Sequence, residues 1–179
     1  NYILEDYPLH PAYSYLSRIH KSDYLRCYLM HHYGGGYSDI KRGRGSRVSQ
    51  FHRINADPNI WVIGLGGFQP PQIAVDIAYP EEYDDNQRKH LAGYHDRLVS
   101  VGFMICRPRS RFTQEWYDAL HTRLDEFYSE LKQHPARFTR ESHDRPPSYW
   151  YQDEKDPELK KIGCPKEPTK YPVDWNRIL

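Results

Sequence analysis

Cysteine is scarce in this 179-residue chain: Cys27, Cys106 and Cys164 are the only three. Their number is odd, they lie far apart, and none forms a CxxC or Cys/His zinc spacing. That pattern argues against a disulfide framework or a zinc site and points to reduced thiols in a cytoplasmic compartment. No run of about 18 apolar residues occurs, so no segment reads as a transmembrane helix. An excess of one charge is missing too. Lys and Arg number 25, Asp and Glu 24, and the net charge is +1. The molecule as a whole therefore has no long-range pull on nucleic acid, and no nucleic-acid partner is expected. Internal repeats and low-complexity tracts are likewise absent.

What is present belongs to a folded chain. Hydrophobic residues make up 38%, charged residues 27% and aromatic residues 15%, with 16 Tyr and 4 Trp. Mean hydropathy is low, −0.91, because Tyr, His and polar loops weigh it down. The length suits one domain with a real core. Asn1 to Asp6 reads as a strand entering a loop, and an earlier strand is expected upstream. Residues 11–20 read as a short helical segment. Ser22 then reads as the N-cap of a helix with Leu25, Tyr28, Leu29 and His32 on its apolar side, stopped by Gly34-Gly35-Gly36. Tyr37 to Ile40 reads as a short strand that delivers Asp39 to its C-terminal end. A helix from Ser46 would place Val48, Phe51 and Ile54 on one face.

Asn59 to Leu65 and Leu98 to Cys106 are near-continuous apolar runs, as expected of strands buried on both faces of a parallel sheet. Gly102 breaks the second, and Arg107-Pro108 ends it. Ile73 to Ile77 reads as a further strand, and Asn86 to Ala92 as a helix. The clearest helical stripe is Phe112, Trp116, Leu120, Leu124, Phe127 and Leu131, and Trp61 and Trp116 read as core. From His134 onward prolines interrupt every long element. Tyr149-Trp150-Tyr151 is expected to return this tail to the body, and Val173 to Leu179 to start a last helix. Strands separated by helices predict an α/β fold with a mostly parallel sheet. The expected division is a core over residues 1–133 and a proline-rich extension over 134–179 that packs back on it.

The chemistry-bearing residues concentrate between Lys21 and Lys41. Asp23 and Arg26 are three apart and share one helix face; taken alone, they read as an exposed ion pair near a helix start. The glycine turn then brings Asp39 to a strand end, so that two carboxylates and a guanidinium could grip a polyhydroxylated ligand. Lys21-Ser22-Asp23-Tyr24-Leu25-Arg26, followed by Tyr33-Gly34-Gly35-Gly36-Tyr37-Ser38-Asp39-Ile40-Lys41, resembles the DXD region of family 32-type and capsular-polysaccharide-synthesis glycosyltransferases. Clostridial toxin glucosyltransferases share the pattern, roughly S-D-x-x-R, an apolar helix, then Y-G-G-x-Y-x-D-x-D. Tyr171-Pro172-Val173-Asp174-Trp175 also resembles a segment near the C-terminus of some of these enzymes.

The resemblance implies a GT-A-like fold, a nucleotide-sugar donor (a UDP-sugar foremost) and a glycan acceptor. It implies that Asp23, Arg26, Tyr37, Asp39 and Lys41 bind the donor, and that residues 1–133 form the nucleotide-sugar-binding core. Asp39 would contact the ribose or a Mn2+ or Mg2+ ion. The second acid of the DXD is replaced by Lys41, which cannot ligate a hard cation but could itself offset diphosphate charge. A non-catalytic nucleotide-sugar-binding relative is the alternative that this replacement suggests. The basic run Lys41, Arg42, Arg44, Arg47 and Arg53 reads as a solvated loop or a phosphate-binding one.

Overall fold

The computed structural model of the protein describes residues 2–40, 45–64, 99, 102–152 and 154–174. In chain order, a 3-10 turn at Pro11–Tyr15 precedes α1 (Arg18–His32), β1 (Gly35–Ser38), α2 (Val48–Ala56), β2 (Val62–Gly64), β3 (Phe103–Cys106), α3 (Arg111–Gln133), α4 (Pro147–Tyr151) and α5 (Pro157–Ile162). The chain divides into two units, one of Asn1–Leu29 with Gln114–Leu179, the other Met30–Thr113.

In the first unit, helix starts are set by side chains that satisfy the free N–H groups of a first turn. The 3-10 turn is capped by His10, whose Nδ1 accepts the Ala12 N–H at 3.1 Å. At α1 the residue that does this is Ser17, whose Oγ lies 3.5 Å from the His20 N–H, while the Ile19 N–H goes to the Thr139 carbonyl at 3.1 Å. Ser22, expected as the N-cap, is instead an exposed residue inside α1. The earlier start arises because Ser17 sits three residues before His20, in the same capping geometry that Ser22 offers one turn later. α3 follows the expected stripe: Leu120, Leu124 and Leu131 are buried against Tyr24, Cys27 and Tyr28 of α1, with Trp116 and Phe127 at the margin.

The proline-rich stretch shares that core through Tyr171 and Val173, both fully buried. Trp150 of α4 is buried as well, its ring centroid 4.8 Å from that of Phe138 and its Nε1 donating to the Arg145 carbonyl at 3.1 Å. Two buried carboxylates hold the turns between these aromatics. Glu141 accepts the Phe138 N–H at 2.9 Å, and Glu154 accepts the N–H groups of Thr139 at 3.0 Å and Asp156 at 2.9 Å. Burial alone would raise the Glu154 carboxyl, but these donors favour the charged form and hold it below its ordinary value.

The second unit corrects the fold expectation. Its described strands form one sheet in the order β1-β3-β2, and both neighbours run antiparallel to β3. Gly35 stands opposite Cys106 and Ser38 opposite Phe103 on one side; Val62 stands opposite Cys106 on the other. The mostly parallel, GT-A-like sheet is thus not what the described residues build. Continuous apolarity misled because it reports burial on both faces, not strand direction. β3 is apolar throughout because it is central, and all four of its residues are buried. β2 is three residues long and only half-buried, and Trp61, expected in the core, is 42% exposed.

Of the expected α2 face only Ile54 is buried, packed with Phe103 and Ile105, whereas Val48 and Phe51 are exposed. Arg107 ties α2 to the sheet, its side chain donating to the carbonyls of Ile54, Asp57 (3.1 Å) and Ile60 (3.3 Å). Such a bond set satisfies the carbonyls that a helix end leaves open. The strand expected at Ile73 to Ile77, the helix at Asn86 to Ala92 and most of the helix beginning at Val173 lie outside the described residues. No helix among the described residues is long and apolar enough to cross a membrane.

Candidate functional site

Asp23 and Arg26 lie in the second and third turns of α1 rather than at its start, because the helix begins at Arg18. Their spacing does put them on one face, with Arg26 Nη1 3.1 Å from Asp23 Oδ1. Each side chain is only 7% exposed. The pair is therefore not the solvated helix-surface ion pair that the two residues suggest in isolation. Taking two charges out of water costs several kcal/mol per ion, which is repaid only where good geometry and further hydrogen bonds accompany the pair. Ionic groups kept at such a cost in a cleft or core are candidates for function.

Tyr37 and Asp39 form the second pair. β1 ends at Ser38, and the Asp39 N–H continues its pairing by donating to the Gly102 carbonyl at 2.9 Å. The Tyr37 hydroxyl donates to Asp39 Oδ1 at 2.9 Å, bridging two residues that a strand would send to the same side. Both are partly exposed, and Ile40 beyond them is fully so. The structure thus brings together Asp23 with Arg26 and Tyr37 with Asp39. The two pairs belong to different units. Lys41, Arg42 and Arg44 lie outside the described residues.

Among the described residues, no group of three or more His, Cys, Asp or Glu gathers as a ready-made metal site. A divalent cation bound beside Asp39 would draw one oxygen from that carboxylate and the others from a diphosphate and water, as magnesium-type ions do.

Sequence reasoning missed a buried polar cluster around Asp23. Tyr24, the next residue, receives the His10 N–H on its hydroxyl at 2.9 Å and pairs with His121 Nε2 at 3.1 Å. One turn earlier, His20 Nδ1 lies 2.7 Å from the Tyr171 hydroxyl and 3.1 Å from Ser17 Oγ. Burial pushes the Tyr24 and Tyr171 phenols well above the ordinary tyrosine range, and Tyr117 up to about 12. These tyrosines are neutral near pH 7, and Tyr24 and Tyr171 serve as hydrogen-bonding groups, not as bases. Burial also lowers His20 to about 4, with Asp144 opposing the change. The segment containing Tyr171 carries a sequence signal, the Y-P-V-D run; nothing local marks His20 as its partner 151 positions away.

The three cysteines are free thiols, and burial raises Cys106 to about 12, leaving it unreactive. In comparisons with known proteins, no family model, no curated protein and no solved structure matches this chain.

Proposed function

We propose that this protein is a glycosyltransferase that moves a sugar from a nucleotide-diphosphate-sugar, a UDP-sugar foremost, to a hydroxyl of a glycan. The reading rests on the motif and not on the fold, since function resides in sites rather than in folds. The observation that carries it is the buried Asp23–Arg26 pair, in the S-D-x-x-R spacing that the motif requires. Arg26 offers a planar donor fork suited to phosphate or to paired hydroxyls, and Asp23 accepts from sugar hydroxyls. Asp39, steadied by Tyr37, contacts the ribose or a Mn2+ or Mg2+ ion. Lys41, or such a cation held by Asp39, would supply positive charge against the departing diphosphate. The reading places the reaction in a reducing, cytoplasmic setting on the strength of the free thiols alone.

A panel of nucleotide-sugars, with and without Mn2+, tests the reading by thermal shift. A donor at about 100 times its Kd should stabilise the native state by roughly 2.7 kcal/mol. Asp39→Ala, a truncation of a partly exposed side chain just past the end of β1, should keep the fold yet lower sugar transfer or donor hydrolysis at least about tenfold, equivalent to about 1.4 kcal/mol. If no nucleotide-sugar raises the melting temperature under any metal condition, the proposal fails. The non-catalytic relative, favoured by Lys41 in place of the second acid, would show stabilisation without turnover.

A further inference from the structure

We propose that a cavity between the end of α3 and residues 165–171 is a binding site for a neutral saccharide. It lies within the first unit and measures about 350 Å3. That is the lower end of the range for small-molecule pockets, roughly 300–1,000 Å3, and it suits a mono- or disaccharide.

The walls are held in place without a ligand. Residues 133–138 form the first, pinned where the Ala136 N–H donates to the Tyr15 carbonyl at 2.9 Å. Residues 165–171 form the second, and their far end is fixed because Tyr171 is a core residue. Glu141, buried and itself part of the lining, ties one wall to the other. Its carboxylate accepts the N–H groups of Arg137 and Phe138 from the first wall and the Thr169 hydroxyl from the second. Thr169 Oγ1 in turn receives the Tyr171 N–H at 3.0 Å. A cavity already formed spares its ligand the cost of ordering loose walls.

The lining carries polar groups that the protein does not use. Among the described residues, the side chains of Gln133, His134, Glu167 and Lys170 have no hydrogen-bond or ion-pair partner. The Arg137 guanidinium stands over the Phe138 ring, 5.8 Å from its centroid, and pairs with no described carboxylate. Between these groups the rings of Pro135, Pro165 and Pro168 give flat apolar surface.

This set selects the class of ligand. The formal charges cancel, Arg137 and Lys170 against Glu141 and Glu167, so a simple anion or cation gains nothing from the lining as a whole. A free amino acid would need the two signs on separate walls, yet Glu167 and Lys170 share one. Sugar hydroxyls both donate and accept. Arg137 and Lys170 only donate, Glu167 accepts, and Gln133 does both. The planar guanidinium, carboxylate and amide can each bridge neighbouring hydroxyls, while the C–H face of a pyranose packs on proline rings. Sugar binding here needs no nucleotide donor. That the bound sugar is a unit of the acceptor glycan is a further step, which rests on the transferase reading above.

Saturation-transfer NMR on the full chain, with maltose, cellobiose, lactose and N-acetylglucosamine as probes and no nucleotide-sugar present, tests the site. Glucuronate and glycine are the charged and zwitterionic controls. At least one neutral sugar should bind, and more tightly than either control. Arg137→Ala and Glu167→Ala, both truncations of exposed side chains, should each weaken that binding at least about fivefold. No binding by any neutral probe would overturn the proposal, as would tighter binding of glucuronate or glycine, or undiminished binding in both variants. Should one variant fail to fold, the other decides. Sugar binding in a protein that no nucleotide-sugar stabilises would leave the cavity standing and remove the transferase reading; stabilisation by a donor without sugar binding would do the reverse.

Discussion

Arg26→Ala is expected to destabilise the protein by about 3–5 kcal/mol, because it leaves the Asp23 carboxylate buried without the guanidinium 3.1 Å away. Asp23→Ala should cost a similar amount for the mirror reason. Both values are large against the roughly 5–15 kcal/mol that holds an ordinary domain together. Urea unfolding measures the loss. The double variant Asp23→Leu/Arg26→Met should recover much of it, since replacing both ions by apolar groups of similar volume is often neutral or better.

The comparison of single and double variants matters because an inactive Arg26→Ala protein would be ambiguous between lost chemistry and lost fold. Arg26→Lys separates the two. It keeps a charge near Asp23 but loses the planar fork, so donor affinity should fall more than stability does. If Arg26→Ala unfolds within about 0.5 kcal/mol of wild type, as ordinary surface substitutions do, the pair is solvated and its functional reading loses its support.

The burial of this pair shows where sequence reasoning stopped. An i, i+3 spacing established that Asp23 and Arg26 share a face, but not which face. α1 buries polar residues, His20, Asp23, Arg26, His31 and His32, alongside Tyr24, Cys27 and Tyr28. A helix covered on most sides has no single apolar stripe for periodicity to find. α3 was legible for the opposite reason, with an apolar row every three or four residues and a polar remainder.

In the sheet, the limits of β3 could be read from Gly102 and from Arg107-Pro108, both of which act locally. Its partners could not. Antiparallel pairing of β3 with β1 and β2 joins residues separated by tens of positions, and nothing in the period of a four-residue strand encodes direction. The Tyr37–Asp39 bond was within reach, since alternate residues of a strand project to one side. The His20–Tyr171 pair was not, because only the folded first unit brings its members together.

The glycine turn between α1 and β1 supplies the other large effect. Gly34→Ala is expected to cost about 2–5 kcal/mol, combining left-handed backbone strain of about 1–2 kcal/mol with overpacking of about 1–3 kcal/mol. Gly34 has φ +65°, and a Cβ there would stand 2.5 Å from Pro108 Cδ and 2.7 Å from the Cys106 carbonyl oxygen. Those atoms belong to the end of the central strand and a rigid ring, so neither can move aside cheaply.

The next two glycines separate the contributions. Gly35 has φ +83° with nothing within 4 Å of an added Cβ, so Gly35→Ala should show the backbone term alone, about 1 kcal/mol. At Gly36 an added Cβ meets Phe51 Cζ at 2.8 Å, the far end of an exposed ring that can swing away. Gly36→Ala should therefore cost the least of the three. Urea midpoints of the three variants give the order directly, and equal costs would mean that steric room at Gly34 is not what selects glycine there. Because β1 leads from this turn to Tyr37 and Asp39, the proposed function implies that any Gly34→Ala protein that still folds should also have lower transfer activity per folded molecule. Gly36→Ala should retain wild-type activity, since its backbone needs no rearrangement to hold Asp39 against the Gly102 carbonyl.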